Sequence, residues 1–375
     1  MSERLEPKTF DEAAAAVRRA SASGRAVRFR GGGTKADWSA RGTEPSLEIS
    51  SGALNRIVEH NAGDLTAVLE AGAPLAEAQA LFASAGQMLA LDPPLGADAR
   101  ATIGGVVATG DSGPLRHRYG GVRDLVIGMT VALGDGTVAR SGGKVIKNVA
   151  GYDLAKLFCG SFGTLGMILA VNLRLQPAPH STATASAWAA DAGVLKAAAI
   201  KLAAAPLELD ALDVSWRDGH GALLARVGGA EPGKRAERAA VLMSGGGLEQ
   251  AEVIENDEGL WARQRAGQRS DTRALVRVAA RPSSLADLLG LADACGASLV
   301  GRAALGTSYV ESEPDEVPRI RQSLPDGATA VVLDGPQELD RWGVHEGPAI
   351  ELMRRVKQRF DPAGSCNPGV FVGGI

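Results

Sequence analysis

Aromatic side chains are scarce in this chain of 375 residues, because Phe, Trp and Tyr together make up 4% of the sequence. Proteins that bind single-stranded nucleic acid stack bases on aromatic rings, so the scarcity argues against such a surface. The formal net charge is −3 and no basic run stands out, which argues against any nucleic-acid partner.

Cysteine is nearly absent, and the three that occur, Cys159, Cys295 and Cys366, lie far apart. Their spacing forms neither a disulfide framework nor a zinc or iron–sulfur motif, and it is typical of a reducing compartment. The sequence has no apolar stretch of signal-peptide length at its start and none long enough to span a bilayer. We therefore expect a cytoplasmic protein, with any contact to the inner face of the membrane made through partners.

Histidine is also sparse, and its five positions form no i,i+4 pair, H-x-H or H-E-x-x-H pattern, so we expect no metal site. The segment Gly110-Asp111-Ser112-Gly113 resembles the serine loop of trypsin-like proteases. That fold also requires a histidine in a small-residue loop upstream and usually has disulfides, and the chain offers neither.

Glycine, in contrast, is concentrated in two segments of the first half. The first is Arg30-Gly31-Gly32-Gly33-Thr34-Lys35, directly after an apolar run, and the second runs from Pro93 to Gly105 as PPLGADARATIGG. Glycine has no Cβ, so it permits positive φ and the close approach of backbone N–H groups to an anion. Two such loops beside regular structure predict a site for the pyrophosphate of a dinucleotide.

A Rossmann site is the main alternative, because residues 31–36 fit G-x-G-x-x-A and Glu48 lies at a distance suited to a ribose contact. That motif requires a helix that begins at the third glycine. Residues 37–45 have no apolar repeat at helical spacing and contain both Gly and Pro, which disfavours the Rossmann alternative. A simple turn between strands explains the first segment alone, but not both.

The order of the motifs resembles a known family. RGGGTK is followed by PPLGADARATIGGVVATGDSG, and then by YGGVRDLVIGMTVALGDGTVARSGGKVIKNVAGYDLAKLFCGSFGTLGMILAVNLRLQP. This succession, over residues 9–177 and again in DPAGSCNPG at 361–369, resembles the vanillyl-alcohol-oxidase/PCMH type of FAD-binding domain. The KNVAGYDLAKL segment and the short chain resemble the FAD-binding E subunits of bacterial glycolate oxidases.

The resemblance implies an α+β fold, with a two-lobed PCMH-type FAD-binding domain and a reduced α+β cap domain built on an antiparallel sheet. A length of 375 residues also favours two domains. The Pro177-Ala178-Pro179 segment is the natural boundary. We expect the FAD-binding domain at 1–177, the cap at 178–345 and a C-terminal segment at 346–375 that returns to the first domain.

Local patterns predict the elements of each domain. A capping box, Thr9-Phe10-Asp11-Glu12, begins an alanine-rich helix that ends near Gly24, and Gly134-Asp135-Gly136 predicts a hairpin. Further strands are predicted at 26–30, 47–50, 56–59, 67–71, 125–133, 137–140, 167–175, 212–216, 221–227, 274–279, 298–301 and 328–333. Further helices are predicted at 75–85, 152–158, 236–243, 284–294 and 350–360, with a short one that includes 106–109. In the cap this alternation predicts an antiparallel sheet covered on one face by helices.

The cofactor site is predicted from the two glycine segments. Backbone N–H groups of the first should meet the FAD pyrophosphate, and Lys35 either adds a charge contact or is a solvated surface lysine. Thr102, Gly104 and Gly105 should form a second phosphate wall at a helix start. The first segment supplies Gly31, Gly32, Gly33, Thr34 and Lys35, and the second supplies Pro94, Thr102, Gly104 and Gly105. We expect Gly33→Val and Gly104→Val to remove FAD while leaving the fold largely intact.

The resemblance adds five residues to this site. Asp111, Ser112 and Gly113 stand where relatives approach the ribityl chain and ring, although the residue at Asp111 is usually uncharged there. Ile168 resembles the strand residue that pairs with the adenine edge. Asn148 belongs to KNVAGYDLAKL, where cofactor binding and ordinary packing are equally compatible with the pattern. Residues 30–36 contain no His or Cys, so we expect FAD to be bound noncovalently.

The expected function is that of an FAD-binding subunit of a glycolate oxidase complex that supports oxidation of glycolate, a 2-hydroxy acid, to glyoxylate. Hydride removal requires a base and cations that fix the carboxylate. The cap offers Arg263, Arg277 and Arg302 but no evident base, so no catalytic residue is assigned. The expected partners are a larger homologous FAD subunit and an iron–sulfur subunit. The alternatives are a self-sufficient FAD-dependent oxidoreductase on another hydroxy acid or alcohol, and a flavin-free structural subunit.

Overall fold

The computed structural model describes residues 3–144 and 152–375 of the chain. The strands are β1 Glu3–Leu5, β2 Val27–Arg30, β3 Leu47–Ser50, β4 Ile57–Asn61, β5 Thr66–Glu70, β6 Gln87–Met88, β7 Val126–Leu133, β8 Val138–Gly142, β9 Gly166–Arg174, β10 Gln176–Pro177, β11 Thr182–Ala189, β12 Ala211–Arg217, β13 His220–Gly228, β14 Glu249–Ile254, β15 Ala274–Ala279, β16 Ser298–Arg302, β17 Thr307–Ser312 and β18 Thr329–Asp334. The helices are α1 Phe10–Ala22, α2 Leu75–Ser84, α3 Ile103–Thr109, α4 Arg116–Tyr119, α5 Val122–Leu125, α6 Ala155–Phe158, α7 Ala192–Ala204, α8 Pro232–Ser244, α9 Glu258–Ala266, α10 Leu285–Ala294, α11 Val317–Gln322 and α12 Pro348–Phe360.

The described residues separate into two compact units. The first contains those of 1–112, 120–178 and 342–375, and the second contains 113–119 and 179–341. At the Pro177-Ala178-Pro179 segment, the first unit ends at residue 178, whereas the sequence predicted its end at residue 177. The C-terminal segment that belongs to the first unit begins at 342, whereas 346 was expected. No pattern in the sequence predicts that 113–119 groups with the second unit.

Two sheets form the lobes of the first unit. A three-stranded parallel sheet has the order β1-β3-β2, and a five-stranded antiparallel sheet has the order β4-β5-β9-β7-β8. The alanine-rich face of α1 is buried against residues of both, including Ile49 of β3 and Leu169 of β9. The predicted cap is present, because Thr9 Oγ1 accepts a hydrogen bond of 3.1 Å from the Glu12 N–H. Small side chains let α1 approach both sheets closely.

The second unit is built on one eight-stranded antiparallel sheet, with the order β14-β11-β13-β12-β16-β17-β15-β18. Helices α7, α8 and α10 bury their apolar faces against it in one large core. A smaller apolar cluster forms where Trp261 of α9 packs on Ala211, Ala222 and Leu224. The predicted α+β fold class, with an antiparallel sheet in the second unit, is therefore confirmed.

Several local predictions differ from the structure. The helix expected at 152–158 is the single turn α6, and the short helix expected at 106–109 already begins at Ile103. Six strands had no counterpart among the predictions: the short β1, β6 and β10, and the longer β11, β14 and β17. Small residues explain one omission, since the β11 sequence TATASAWA has little of the bulky alternation that marks a strand. Over residues 3–144 and 152–375, every helix is too short or too polar to cross a lipid bilayer.

Candidate functional site

A cavity of about 300 Å³ lies in the first unit, where the two glycine segments come together. The loop after β2 forms one wall with residues 31–36. The start of α3 forms a second wall, and the turn before β9 with the first residues of that strand forms a third. The residues of the second and third walls are Ala101, Thr102, Gly104, Gly105, Val106, Ala108, Thr109, Phe162, Gly163, Gly166, Met167 and Ile168. Residues of both glycine segments thus line one cavity, and the assignment of that cavity to the cofactor stays a prediction.

The first wall depends on two glycines for different reasons. Gly33 has a φ of +73°, in the left-handed region that favours glycine. At Gly32 a Cβ would overlap the carbonyl oxygen of Arg100, so the loop packs directly on the second glycine segment. In the described part of the chain, the N–H groups of Gly31, Gly32 and Gly33 donate to no protein acceptor. They are three successive donors on the wall of the cavity.

The second wall uses its N–H groups differently from the prediction. The Gly104 N–H donates to the Ala71 carbonyl at 2.7 Å, and the Gly105 N–H donates to Thr102 Oγ1 at 3.2 Å, the N-cap bond of α3. Thr102, Gly104 and Gly105 line the cavity, but two of their N–H groups are already occupied by protein. This wall therefore contributes shape and packing more than anion donors.

Lys35 is neither a solvated surface lysine nor a cation free to meet phosphate. Its side chain is 4% exposed, and its Nζ lies 3.2 Å from Oδ2 of Asp111, whose side chain is 1% exposed. The same ammonium donates to the Pro94 carbonyl at 3.4 Å and lies 5.7 Å from the centre of the Trp38 ring. The carboxylate of Asp111 thus has an internal counterion, and the pair joins the first glycine loop to the segment after α3.

Of the remaining predicted residues that the structure describes, only one lines the cavity. Ile168, in β9, lines the cavity. Ser112 is buried and its N–H donates to Oδ1 of Asp111 at 2.8 Å, but Pro94, Asp111 and Ser112 are not among the cavity residues. Gly113 belongs to the second unit. Asn148 lies outside the described residues.

Asn367 is a cavity residue that the sequence analysis did not assign. Its Oδ1 accepts from the Phe29 N–H at 2.8 Å, and its Nδ2 donates to the Phe162 carbonyl at 2.6 Å. Its own φ is +43°, a conformation that Asn adopts more readily than most residues. The Asn367-Pro368-Gly369 motif signalled a return to the first domain, but no pattern in the sequence predicts these two partners.

Five charged side chains are among the residues that line the cavity. Arg28, Arg30 and the buried, paired Lys35 are the cations, and Glu44 and Glu48 are the anions. Glu48 is held 3.4 Å from Arg30 and 3.6 Å from Arg4. Lining residues include neither His nor Cys. Successive free N–H donors next to arginines suit a diphosphate, so the residues present fit the cofactor that the sequence predicts.

In the second unit, one of the predicted cap arginines is fully engaged by protein. Arg302 is 2% exposed, and it donates to Oδ2 of Asp213 at 2.6 Å and to Oε1 of Gln268 at 2.7 Å. Burial raises the pKa of Asp213 to about 6, although Arg302 opposes that shift. The guanidinium is part of an internal network and is not an unpaired cation awaiting a carboxylate.

The described residues contain no group of three or more His, Cys, Asp or Glu side chains that could hold a metal ion. The three cysteines are free thiols. Burial raises the pKa of Cys159 to about 11 and that of Cys366 to about 12, and burial also raises the pKa of Cys295. Protonated thiols are poor ligands and nucleophiles at neutral pH.

Comparison with known proteins agrees with this geometry. Residues 3–142 match the family model of an FAD binding domain. An uncharacterized FAD-linked oxidoreductase of Mycobacterium tuberculosis is 29% identical to this chain, over 98% of the chain and 90% of the relative. The chain is an FAD-dependent oxidoreductase. Its predicted cofactor, FAD, is confirmed.

Two further relatives match part of this oxidoreductase. Glycolate oxidase subunit GlcE of Escherichia coli is 42% identical over 34% of the chain and 36% of its own length. Glycolate oxidase subunit GlcD of Bacillus subtilis is 36% identical over 41% of the chain and 33% of its own length. A solved structure of alkyldihydroxyacetonephosphate synthase is similar over 97% of this chain and 76% of its own chain, with a TM-score of 0.71 and 14% sequence identity. At that identity the similarity supports the fold alone.

Proposed function

We propose that this oxidoreductase is the FAD-binding subunit of a glycolate oxidase complex and supports the oxidation of glycolate to glyoxylate. The observation that carries the proposal is its 42% identity with glycolate oxidase subunit GlcE over 126 residues. The second glycolate oxidase subunit, GlcD, matches over 155 residues. We assign FAD to the cavity between the two glycine segments.

The role of the cavity is to bind and orient the cofactor. The N–H groups of Gly31, Gly32 and Gly33 would donate to the diphosphate, and Arg28 and Arg30 would place positive charge beside it. Bound FAD supplies the acceptor for a hydride taken from a carbon that bears a hydroxyl group. The internal pair of Lys35 and Asp111 would hold the first glycine loop to the segment after α3, and the bond from Lys35 to the Pro94 carbonyl would link that loop to the second glycine segment.

Dependence on partner subunits is the second part of the proposal. Oxidation of a 2-hydroxy acid needs a base for the hydroxyl and cations for the carboxylate. Arg302 already donates hydrogen bonds to Asp213 and Gln268, so it is not an unpaired cation for a substrate carboxylate. This part of the proposal rests on that observation. We infer that a larger homologous FAD subunit carries out the hydroxy-acid chemistry. An iron–sulfur subunit would accept the electrons, because the scattered thiols here are not arranged as cluster ligands.

Reconstitution tests this proposal directly. The purified chain alone and the chain mixed with the other subunits are compared for glycolate-dependent dye reduction. We expect rapid reduction with the full set and slow or no reduction with the single chain. Rapid reduction by the chain alone would reject the dependence on partners.

A self-sufficient FAD-dependent oxidoreductase on another hydroxy acid or alcohol is the second candidate. It is favoured by the match to a single FAD-linked oxidoreductase over 98% of the chain. Anaerobic titration of the isolated chain with glycolate and with lactate separates the candidates. Bleaching of the flavin bands without partners supports the self-sufficient enzyme, whereas a purified chain without flavin absorption would instead support a structural subunit.

A further inference from the structure

We propose that Asn367 is a positioning residue for FAD, which holds two walls of the cavity together through its side-chain amide. The two walls are distant in sequence: one is the loop that follows Phe29, and the other is the turn formed by Phe162 and Gly163. Asn367 comes from the C-terminal segment and lies between them, 8% exposed. This inference rests on the assignment of the cavity to FAD.

Each atom of the amide meets the partner that its chemistry requires. Oδ1 accepts from the Phe29 N–H at 2.8 Å, and Nδ2 donates to the Phe162 carbonyl at 2.6 Å. Rotating the amide by 180° would place oxygen against oxygen and N–H against N–H. The two backbone groups therefore fix the orientation of the amide, and the amide fixes the separation between the two walls.

The backbone of Phe162, whose carbonyl accepts the hydrogen bond from Asn367 Nδ2, is strained. Phe162 has a φ of +53°, in the left-handed region that a bulky residue adopts only when its surroundings hold it there. Its N–H donates to the Ala108 carbonyl of α3 at 2.8 Å, and its carbonyl accepts from Asn367. Gly163 follows it, and a Cβ at Gly163 would lie 2.8 Å from Nδ2 of Asn367. The side-chain amide of Asn367 therefore packs closely against the turn at Phe162 and Gly163, which forms one wall of the cavity.

The Asn367 segment is itself anchored independently of the amide. Lys357 donates to the Cys366 carbonyl at 2.7 Å, to Asp361 at 2.6 Å and to the Thr164 carbonyl at 2.8 Å. The backbone N–H of Asn367 donates to the Val27 carbonyl at 2.8 Å. Removing the amide should therefore leave the segment in place and release mainly the two loops that face the cofactor.

The test compares FAD binding by the apoprotein of Asn367→Ala, Asn367→Asp and wild type, measured by quenching of flavin fluorescence. Asn61→Ala is the matched control, because it removes an Asn side chain that bonds only within a turn of the same unit, away from the cavity. We expect the dissociation constant of Asn367→Ala to rise at least 10-fold and that of the control to stay within two-fold. Circular dichroism of the bound flavin should change in Asn367→Ala and stay unchanged in the control.

Asn367→Asp supplies a readout that a purely structural role would not move. The ionised carboxylate still accepts from Phe29 but repels the Phe162 carbonyl, whereas the protonated acid can donate to it. The affinity of this variant for FAD, relative to that of wild type, should therefore improve as the pH is lowered from 8 to 5, and that of Asn367→Ala should not. If Asn367→Ala does not fold, the pH dependence of FAD affinity in Asn367→Asp alone decides whether Asn367 positions FAD.

Two results would overturn the inference: FAD binding by Asn367→Ala within two-fold of wild type, or an Asp variant whose relative affinity does not change with pH. The assignment of the cavity is tested separately by Gly33→Val. If that variant keeps its flavin, the cavity assignment fails. If it loses flavin while Asn367→Ala does not, only the role of Asn367 fails.

Discussion

At the scale of single residues, the backbone of Gly33 links conformation to cofactor binding. Its φ of +73° is a conformation that a β-branched residue cannot adopt without strain. In Gly33→Val the loop must rearrange, and the successive N–H donors of residues 31–33 lose their alignment. We expect the affinity for FAD to fall by about 100-fold or more, equivalent to about 2.7 kcal/mol. Flavin content and FAD titration of the apoprotein measure this change.

Gly86→Val is the control for this substitution. Gly86 follows α2, has a φ of +68° and lies outside the cavity, and a Cβ there would meet no atom within 4 Å. The control therefore imposes similar backbone strain without touching the cavity. Wild-type flavin stoichiometry in Gly33→Val would show that the first glycine loop does not bind the cofactor.

The buried pair of Lys35 and Asp111 makes a second residue-scale prediction. Lys35→Met removes the ammonium that lies 3.2 Å from the carboxylate and leaves a negative charge in a buried position. We expect the free energy of unfolding of the apoprotein to fall by roughly 3 kcal/mol, because uncompensated buried charge is costly. Urea unfolding measures the loss.

The double variant Lys35→Met/Asp111→Asn separates charge from packing. It has lost both charges, so we expect it to recover most of the stability that the single variant loses. Equal losses in the single and double variants would mean that the stability comes from the methylene groups of Lys35 and not from its charge.

At the scale of secondary-structure elements, the contact between α3 and the end of β5 changes the prediction made for Gly104. A Cβ at Gly104 would lie 2.6 Å from the Cβ of Ala71 and 2.8 Å from its carbonyl oxygen. Gly104 therefore makes a close approach between two protein elements, in addition to lining the cavity. We now expect Gly104→Val to lower the free energy of unfolding by about 2 kcal/mol through overpacking.

Thermal and urea unfolding of the apoprotein measure this effect without the cofactor. Gly105→Ala, one residue further along α3, is the control, since its methyl group would meet only Thr102 Oγ1, at 3.1 Å. A Gly104→Val apoprotein as stable as wild type, with flavin binding alone lost, would instead support the prediction from the sequence that Gly104 is needed for FAD binding and not for stability.

The contact between β12 and β16 predicts a pH dependence. Burial raises the pKa of Asp213 to about 6, compared with about 3.9 in an unfolded chain. Between these two values the folded state binds more protons than the unfolded state. The contribution of Asp213 to stability therefore falls as the pH rises from about 4 to 6, by roughly 3 kcal/mol in total.

Comparison with Asp213→Asn isolates this contribution, because the amide does not titrate. The free energy of unfolding of wild type minus that of the variant is measured in urea at several values between pH 4 and 7. We expect this difference to decrease up to pH 6 and then to level off. A difference that is flat or increases with pH would contradict the raised pKa.

At the scale of the whole molecule, we predict that FAD is bound without a covalent link. Covalent attachment to a protein uses a nucleophilic side chain such as His or Cys, and the residues that line the cavity include neither. Acid precipitation should release all of the yellow colour into the supernatant. Flavin that stays with the pellet would contradict the prediction and would point to a residue outside the described cavity.

Much of this architecture could be predicted from local pattern. The N-cap at Thr9, strand β3 and the hairpin between β7 and β8 follow from turn and periodicity rules that act over a few residues. The two glycine segments predicted a site for a dinucleotide pyrophosphate, because close backbone approach to an anion requires glycine. The identity of the cofactor, FAD, came from the resemblance of the motif order to a known family. Strand β11 could not be predicted, because its alternation is between Ala and mostly Thr or Ser, which differ little in size and hydrophobicity, and its pairing with β13 supplies the missing information.

The partners of individual side chains depend on distances along the chain that no local rule covers. Lys35 meets Asp111 across 76 residues of sequence, and Asn367 meets Phe29 across 338. Local sequence determined that two glycine loops and a second, sheet-based domain are present, because backbone conformation and hydrophobic periodicity are short-range properties, and the order of motifs along the chain carried the resemblance to a flavin-binding domain. Only the tertiary structure decided that Lys35 is internally neutralised, that Gly104 serves packing and that Asn367 ties two walls of the cavity together. Those outcomes depend on which distant groups are brought within hydrogen-bonding distance when the core forms.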